Sequence, residues 1–208
     1  MGSNLTHRRE SIILNAIELI HEFGIHSVST KEIARRLELS ESTVFKYFPK
    51  KNDIFLAVLE QFSVYDKDLF FTSIEKSKKS SPREAIIFYI DSYASYYENY
   101  PQITALMQAY ELFRGIPELE TKARDISLSR LENIQELIKI AQESNIIKND
   151  IDAEILADII YSTFIGLCFK WRIKGFRFSL RNEMRQITQL LLDVFGDKKN
   201  DYVYNARG

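Results

Sequence analysis

Apolar residues recur three and four positions apart along nearly the whole chain, and no stretch alternates in the manner of a half-buried strand. That spacing commits the chain to helices. Only 7 Gly and 4 Pro interrupt 208 residues, so the helices are long and the breaks between them few. The fold class read from this pattern is all-α, with about nine helices. A chain of this length buries a sizeable core.

The N-terminal quarter has the densest punctuation. Ile12, Ile13, Ala16, Ile17, Leu19 and Ile20 form a stripe, and Gly24 stands where that helix ends. Ser29-Thr30-Lys31-Glu32 reads as a capping box, with Ser29 as the cap and Glu32 reaching back. Ile33, Ala34 and Leu37 face inward. Ser40 caps a second short helix from Glu41 to Phe48, and Pro49 stops it. A longer helix follows with Ile54, Phe55, Val58, Leu59 and Phe62 inward. The polar run Lys76–Ser81 is a break, and Ser81-Pro82-Arg83-Glu84 restarts a helix. Further helices are expected at about 83–98, 102–113, 118–143, 153–174 and 181–195. The implied organisation is 1–52, a connecting helix over 53–80, a larger bundle over 81–196, and a polar tail over 197–208.

Two short helices joined by Glu38-Leu39-Ser40 describe a helix-turn-helix. A helix entering the major groove of DNA needs slim or flexible outer residues. Ser42 and Thr43 are slim, and Lys46 is long enough to reach base edges. Ser40 and the N–H groups at the helix start suit phosphate, Tyr47 offers a hydroxyl, and Lys50 and Lys51 offer charge. Val44 and Phe48, four apart, face the inner helices. Between Lys31 and Lys51 six basic residues stand against three acidic ones, in a chain whose net charge is -1. Double-stranded DNA is therefore a candidate partner through local rather than overall charge.

These residues carry a family resemblance. Thr30-Lys31-Glu32-Ile33-Ala34, followed by Leu39-Ser40-Glu41-Ser42-Thr43-Val44-Phe45-Lys46-Tyr47-Phe48-Pro49-Lys50-Lys51-Asn52-Asp53-Ile54, resembles the signature of TetR-family transcriptional regulators. The resemblance is specific over about residues 8–60 and architectural beyond. It implies that Ser29, Thr30, Lys31 and Ser40 cap the motif helices or lie against phosphates, and that Ser42, Thr43 and Lys46 face bases. Phe45 stands where the family usually has Tyr, which leaves van der Waals contact with DNA, for instance with a thymine methyl. Tyr47 sits at a phosphate position and Lys51 matches the family's Lys. Glu38 replaces a usual Gly in the turn, a position that is strained if its φ is positive, and Lys50 replaces a small residue.

From Ser81 onward the chain is rich in aromatics, among them Tyr89, Tyr93, Tyr96, Tyr97 and Tyr100. A packed core accounts for most of them, yet so many polar-tipped rings also suit a pocket. By the family analogy this region binds a small effector, with Tyr93, Tyr97, Met107, Tyr110, Phe113, Leu137, Tyr161 and Phe164 as lining candidates. An apolar or aromatic ligand with a hydrogen-bonding head fits them. The last two helices carry large apolar faces: Ile155, Ile159, Ser162, Thr163, Gly166, Phe169 and Ile173 on one, Ile187, Leu190, Leu191, Val194 and Phe195 on the other. The resemblance makes these a four-helix homodimer interface, and a two-fold dimer implies a palindromic operator.

The expected function is that of a ligand-released homodimeric repressor acting in the cytoplasm. An activator, a regulator governed by a protein partner, or a DNA-binding protein that organises chromosomes are alternatives; many dispersed sites would mark the last. Enzyme chemistry lacks a foothold. His7, His21 and His26 lack metal-ligand spacing, and Cys168 lies in an apolar helix where a structural thiol is expected. There is no glycine-rich phosphate loop or nucleophile elbow, so no metal or cofactor is expected. Nor is a membrane span: the most apolar run, Ile155 to Phe169, carries Asp158, Ser162 and Thr163.

Overall fold

The computed structural model describes residues 2–197. The tail expected over 197–208 lies, from 198 on, outside the described residues. Ten α-helices follow one another: α1 (Gly2–Phe23), α2 (Thr30–Arg36), α3 (Glu41–Tyr47), α4 (Lys51–Phe62), α5 (Asp66–Lys79), α6 (Pro82–Asn99), α7 (Ala109–Phe113), α8 (Pro117–Glu143), α9 (Ala153–Ile173) and α10 (Leu180–Phe195). Two tighter 3-10 segments, Ile25–Ser27 and Pro101–Gln108, lie between them. The sole β pairing among the described residues is an isolated bridge between Ile147 and Gly196.

The chain divides into two compact units. The first combines 1–64 with 100–126. Its core is the α1 stripe, Ile12 to Ile20, packed against α4, α2 and the segment 101–108. Gly24 closes α1 with φ 81°, a backbone region that a side chain disfavours. The second combines 65–99 with the chain from 127 onward. There α6 packs on both α5 and α10. Arg181 grips Asp91 at 2.7 Å near one end of the α6–α10 contact, and Arg83 pairs with Asp193 near the other. Ser179 caps α10 by accepting from the Asn182 N–H at 3.1 Å.

Three expectations are revised. The connecting helix expected over 53–80 is two helices, α4 and α5, separated by a turn at 63–65, where the Ser63 hydroxyl donates to the Leu59 carbonyl at 3.1 Å. The polar run 76–81 is mostly the last turn of α5; only Ser80 and Ser81 separate it from α6, with Ser81 accepting from the Glu84 N–H at 3.1 Å. The helix expected over 102–113 is α-helical only from Ala109. Ahead of it the chain winds more tightly, and the Thr104 hydroxyl donates to the Pro101 carbonyl at 2.6 Å.

Candidate functional site

In the first unit, α2, the turn and α3 form the expected helix-turn-helix. Ser29 Oγ accepts from the Glu32 N–H at 3.1 Å, so the cap is made. Its reciprocal half is not. The Glu32 carboxylate accepts instead from Arg35, at 2.9 Å from Nε and 2.6 Å from Nη2. A guanidinium three residues on is a stronger partner than a backbone amide.

The turn closes with two backbone bonds, Leu39 N–H to the Ala34 carbonyl at 2.8 Å and Glu38 N–H to the Arg35 carbonyl at 3.4 Å. That pair of bonds places the intervening residue in the left-handed region, and Glu38 has φ 54°. The strain anticipated for a non-glycine residue here is present. Ser40 then caps α3, accepting from the Thr43 N–H at 3.2 Å and sharing hydrogen bonds with the Ser42 and Thr43 hydroxyls at 2.9 and 2.7 Å.

Val44 and Phe48 are fully buried and fix the orientation of α3. The opposite side presents Ser42, Phe45 and Lys46; Phe45 is 44% exposed, a large ring held in solvent. Thr43 and Tyr47 are half-buried at the margin. Thr30, the first residue of α2, donates its hydroxyl to Glu41 at 2.5 Å and so links the starts of the two helices.

The basic count over 31–51 overstates the available charge. Arg35 pairs with Glu32, and Arg36 reaches Glu22 of α1 at 2.8 Å. Hydrogen bonds from these guanidinium groups hold the Glu32 and Glu22 carboxyls below the usual carboxylate range. Lys31, Lys46, Lys50 and Lys51 carry the charge that remains. Lys50 and Lys51 open α4: the Asp53 carboxylate accepts from the Lys50 N–H at 2.8 Å, and Lys51 Nζ lies 5.2 Å from the Phe55 ring centroid.

The aromatic residues expected to line a pocket fall into two groups. Tyr93, Tyr97 and Phe164 meet in the second unit, with ring centroids 5.3–6.4 Å apart. Leu137 is buried and Tyr161 half-buried in the same unit. Met107, Tyr110 and Phe113 belong to the first unit. There Phe113 packs on Phe55 at 5.2 Å, and the Tyr110 hydroxyl donates to Glu120 at 3.2 Å.

Sequence reasoning missed the polar heart of the second unit. Arg130 is 4% exposed and Asp66 8%. Arg130 donates from Nε and Nη2 to the Asp66 carboxylate at 2.8 and 3.0 Å, and from Nη1 to the Tyr97 hydroxyl at 2.9 Å. The Tyr93 hydroxyl donates to Asp66 at 2.8 Å, and Asn133 donates to Tyr89 at 3.2 Å. Burial pushes the Tyr93 and Tyr97 hydroxyls well above their ordinary pKa. For Arg130, burial opposes the charge, but its neighbours more than offset this and its pKa is raised. One signal was legible: Arg130 lies four residues from both Ile126 and Ile134, on the buried stripe of α8.

On α9 and α10, Ile155, Ile159, Phe169, Ile173, Leu190 and Val194 are exposed, while Thr163, Ile187 and Leu191 are half-buried. A methyl group built on Gly166 meets nothing within 4 Å. The Cys168 thiol is buried, which pushes it up to about 12. Among the described residues no group of three or more His, Cys, Asp or Glu is placed to hold a metal ion. No described helix is long and apolar enough to cross a membrane.

Comparison with known proteins places these features among relatives. Residues 12–58 match the family described as bacterial regulatory proteins, tetR family, and residues 68–194 match the family described as YsiA-like protein, C-terminal region. The chain is 22% identical over 189 residues to the fatty acid metabolism regulator protein of Bacillus subtilis, covering 90% of this chain and 95% of that one. It is 22% identical over 199 residues to the nucleoid occlusion factor SlmA of Pasteurella multocida, covering 92% and 96%. The fold matches that of the transcriptional regulator FadR from Bacillus subtilis in complex with stearoyl-CoA, with a TM-score of 0.75, 22% identity, and coverage of 88% and 97%.

Proposed function

The chain belongs to the TetR family of bacterial regulatory proteins, ligand-responsive DNA-binding regulators rather than enzymes, and from that premise we propose that it is a homodimeric repressor, released from a palindromic operator by a small apolar effector. The observation that carries this reading is α3: a capped helix anchored by Val44 and Phe48 that offers Ser42, Phe45 and Lys46 to solvent.

In the proposed complex Ser42, Thr43 and Lys46 read base edges, and Phe45 lies against a thymine methyl. Ser29, Thr30, Lys31, Ser40, Tyr47, Lys50 and Lys51 hold phosphates. The hydroxyls of Ser40, Ser42 and Thr43, bonded to one another in the free protein, exchange those bonds for DNA.

The exposed apolar residues of α9 and α10, with Gly166 open between them, support pairing with a second copy. Pairing sets two α3 helices about one DNA turn apart. The buried aromatic cluster of the second unit, and the stearoyl-CoA in the FadR relative, support an effector with a long apolar acyl body. Effector and operator oppose each other with a coupling on the order of 1–3 kcal/mol, so operator DNA weakens effector binding by the same factor.

Sequencing the genomic fragments retained by the purified protein tests this reading. A few palindromic sites at promoters support it. The likeness to SlmA favours a second reading, chromosome organisation, which predicts many dispersed sites. On a retained site, Lys46→Ala relaxes base preference, whereas Lys51→Ala weakens all sequences about equally and lowers the salt slope by about one. Unchanged binding in both variants refutes the assignment of α3.

A further inference from the structure

The acidic residues of the helix-turn-helix are not held alike. Glu32 is neutralised by Arg35 at 2.6 Å and by Arg36 at 3.5 Å. Glu41, the first residue of α3, is exposed, and its partner among the described residues carries no charge: Oε1 accepts from the Thr30 hydroxyl at 2.5 Å. The recognition helix therefore brings an unneutralised carboxylate toward DNA. Four residues on, along the same edge of α3, stands the exposed ring of Phe45.

A carboxylate in that place is a liability unless the DNA gives it a donor. Phosphates repel it, and in a groove without a donor it gives up water and gains nothing. Base edges differ in what they offer. Guanine presents the acceptors N7 and O6 to the major groove, and thymine presents the O4 acceptor and a methyl group. Adenine sets its N6 donor beside the N7 acceptor. Cytosine presents its N4 amino group, the donor from which Glu and Asp accept. The residues at the start of a recognition helix are those that reach base edges. Thr30 makes the encounter conditional. Its hydroxyl has one proton, which serves either Glu41 or a phosphate. When a phosphate takes that proton, both Glu41 oxygens are free, and a base donor replaces the lost bond.

We propose that Glu41 determines operator specificity by selecting a cytosine, accepting from its N4 amino group, and that Thr30 releases Glu41 for this by turning its proton to a phosphate. Guanine and thymine are rejected at the same position because they face the carboxylate with acceptors. This inference rests on the proposed reading of α3 as the helix that reads the operator.

The test is selection of binding sites from a random-sequence duplex library by the full-length protein, at one fixed salt concentration, followed by sequencing. Each variant is first checked for a folded circular dichroism spectrum. The wild type selects cytosine at one position of each half-site by about fivefold or more over guanine and thymine. Glu41→Gln keeps the side-chain length and an acceptor for Thr30. It loses the cytosine preference and favours adenine, which amides read through N6 and N7. It also binds random duplexes more tightly, because a negative charge is gone. A Glu41 that served only to start the helix would change affinity for every sequence alike. Thr30→Val weakens all sequences about equally and keeps the cytosine preference. Lys46→Ala on the same library is the control, and a relaxed preference there shows that α3 reads bases. Given that control, an unchanged preference in Glu41→Gln, or a cytosine preference lost in Thr30→Val, overturns the proposal and leaves the reading of α3 standing. A profile unchanged in both Lys46→Ala and Glu41→Gln overturns the reading of α3, and this proposal with it.

Discussion

Replacing Asp66 by Ala isolates a charge that the fold has enclosed. Arg130 is 4% exposed, and the substitution removes the carboxylate that accepts its Nε and Nη2 bonds and that of the Tyr93 hydroxyl. Breaking one side of a buried pair costs about 3–5 kcal/mol, because an uncompensated charge remains behind. For a chain of this size each kcal/mol lowers the melting temperature by about 2–4 °C, so the expected fall is about 6–20 °C. The pair Asp66→Leu/Arg130→Met removes both charges and leaves only the Tyr93 and Tyr97 hydroxyls without these partners, at about 1 kcal/mol each. The double variant is therefore more stable than Asp66→Ala alone. Urea unfolding followed by circular dichroism, at one fixed protein concentration, measures both. A loss under about 1 kcal/mol in Asp66→Ala, or a double variant less stable than the single, would refute the view that ion-pair desolvation governs this region.

Asn15 is 8% exposed and its side-chain carbonyl is buried without a hydrogen-bond partner, so Asn15→Leu stabilises the protein by about 1–2 kcal/mol, read as a rise in melting temperature. Glu38→Gly relieves the positive φ of the turn and adds about 0.5–1 kcal/mol of stability; by removing a negative charge it also strengthens non-specific DNA binding at low salt. The Glu22 and Glu32 carboxyls titrate below the ordinary 4.5 in the folded chain, so their contribution is complete above that pH and is lost as the pH falls through their folded values; melting curves in acid should flatten in Glu22→Gln. Cys168, buried with its thiol pushed up to about 12, reacts with a disulfide reagent at pH 8 only as fast as the protein opens, and promptly once urea unfolds it.

The helix-turn-helix was legible because its determinants are local. Ser29, Ser40, Val44 and Phe48 lie within twenty residues, and each acts on its own turn of helix. The reciprocal cap at Glu32 failed where two local rules competed and the guanidinium of Arg35 won. Counting charges over a window misjudged Arg36, whose partner Glu22 comes from a different helix. At the break at Ser63 and the tight winding after Pro101 hydroxyls donate back along the chain, as they do within the unbroken helices at Thr72, Ser73 and Thr188, so neither feature had a distinctive local signal. The Asp66–Arg130 pair spans 64 positions, and periodicity carries no information about which distant charges meet. What the sequence did hold was half the answer: a charged residue on the buried stripe of α8 has to find a partner.

The interleaving of the two units sets an order of assembly during synthesis. When residue 64 leaves the ribosome, α1 to α4 exist but the segment 101–108 that packs on α1 does not. The ribosome must first make 65–99, which belong to the other unit, a delay of a few seconds at about 5–20 residues per second. That second unit stays open longer still, since α6 packs on α10, near the C-terminal end of the described chain. The first unit can close only once residue 126 is made and the second only after α10, so a nascent chain passes through much of translation with apolar faces of both uncovered. A fragment cut at residue 64 is held permanently at that stage, with its helix-turn-helix present and part of its support missing.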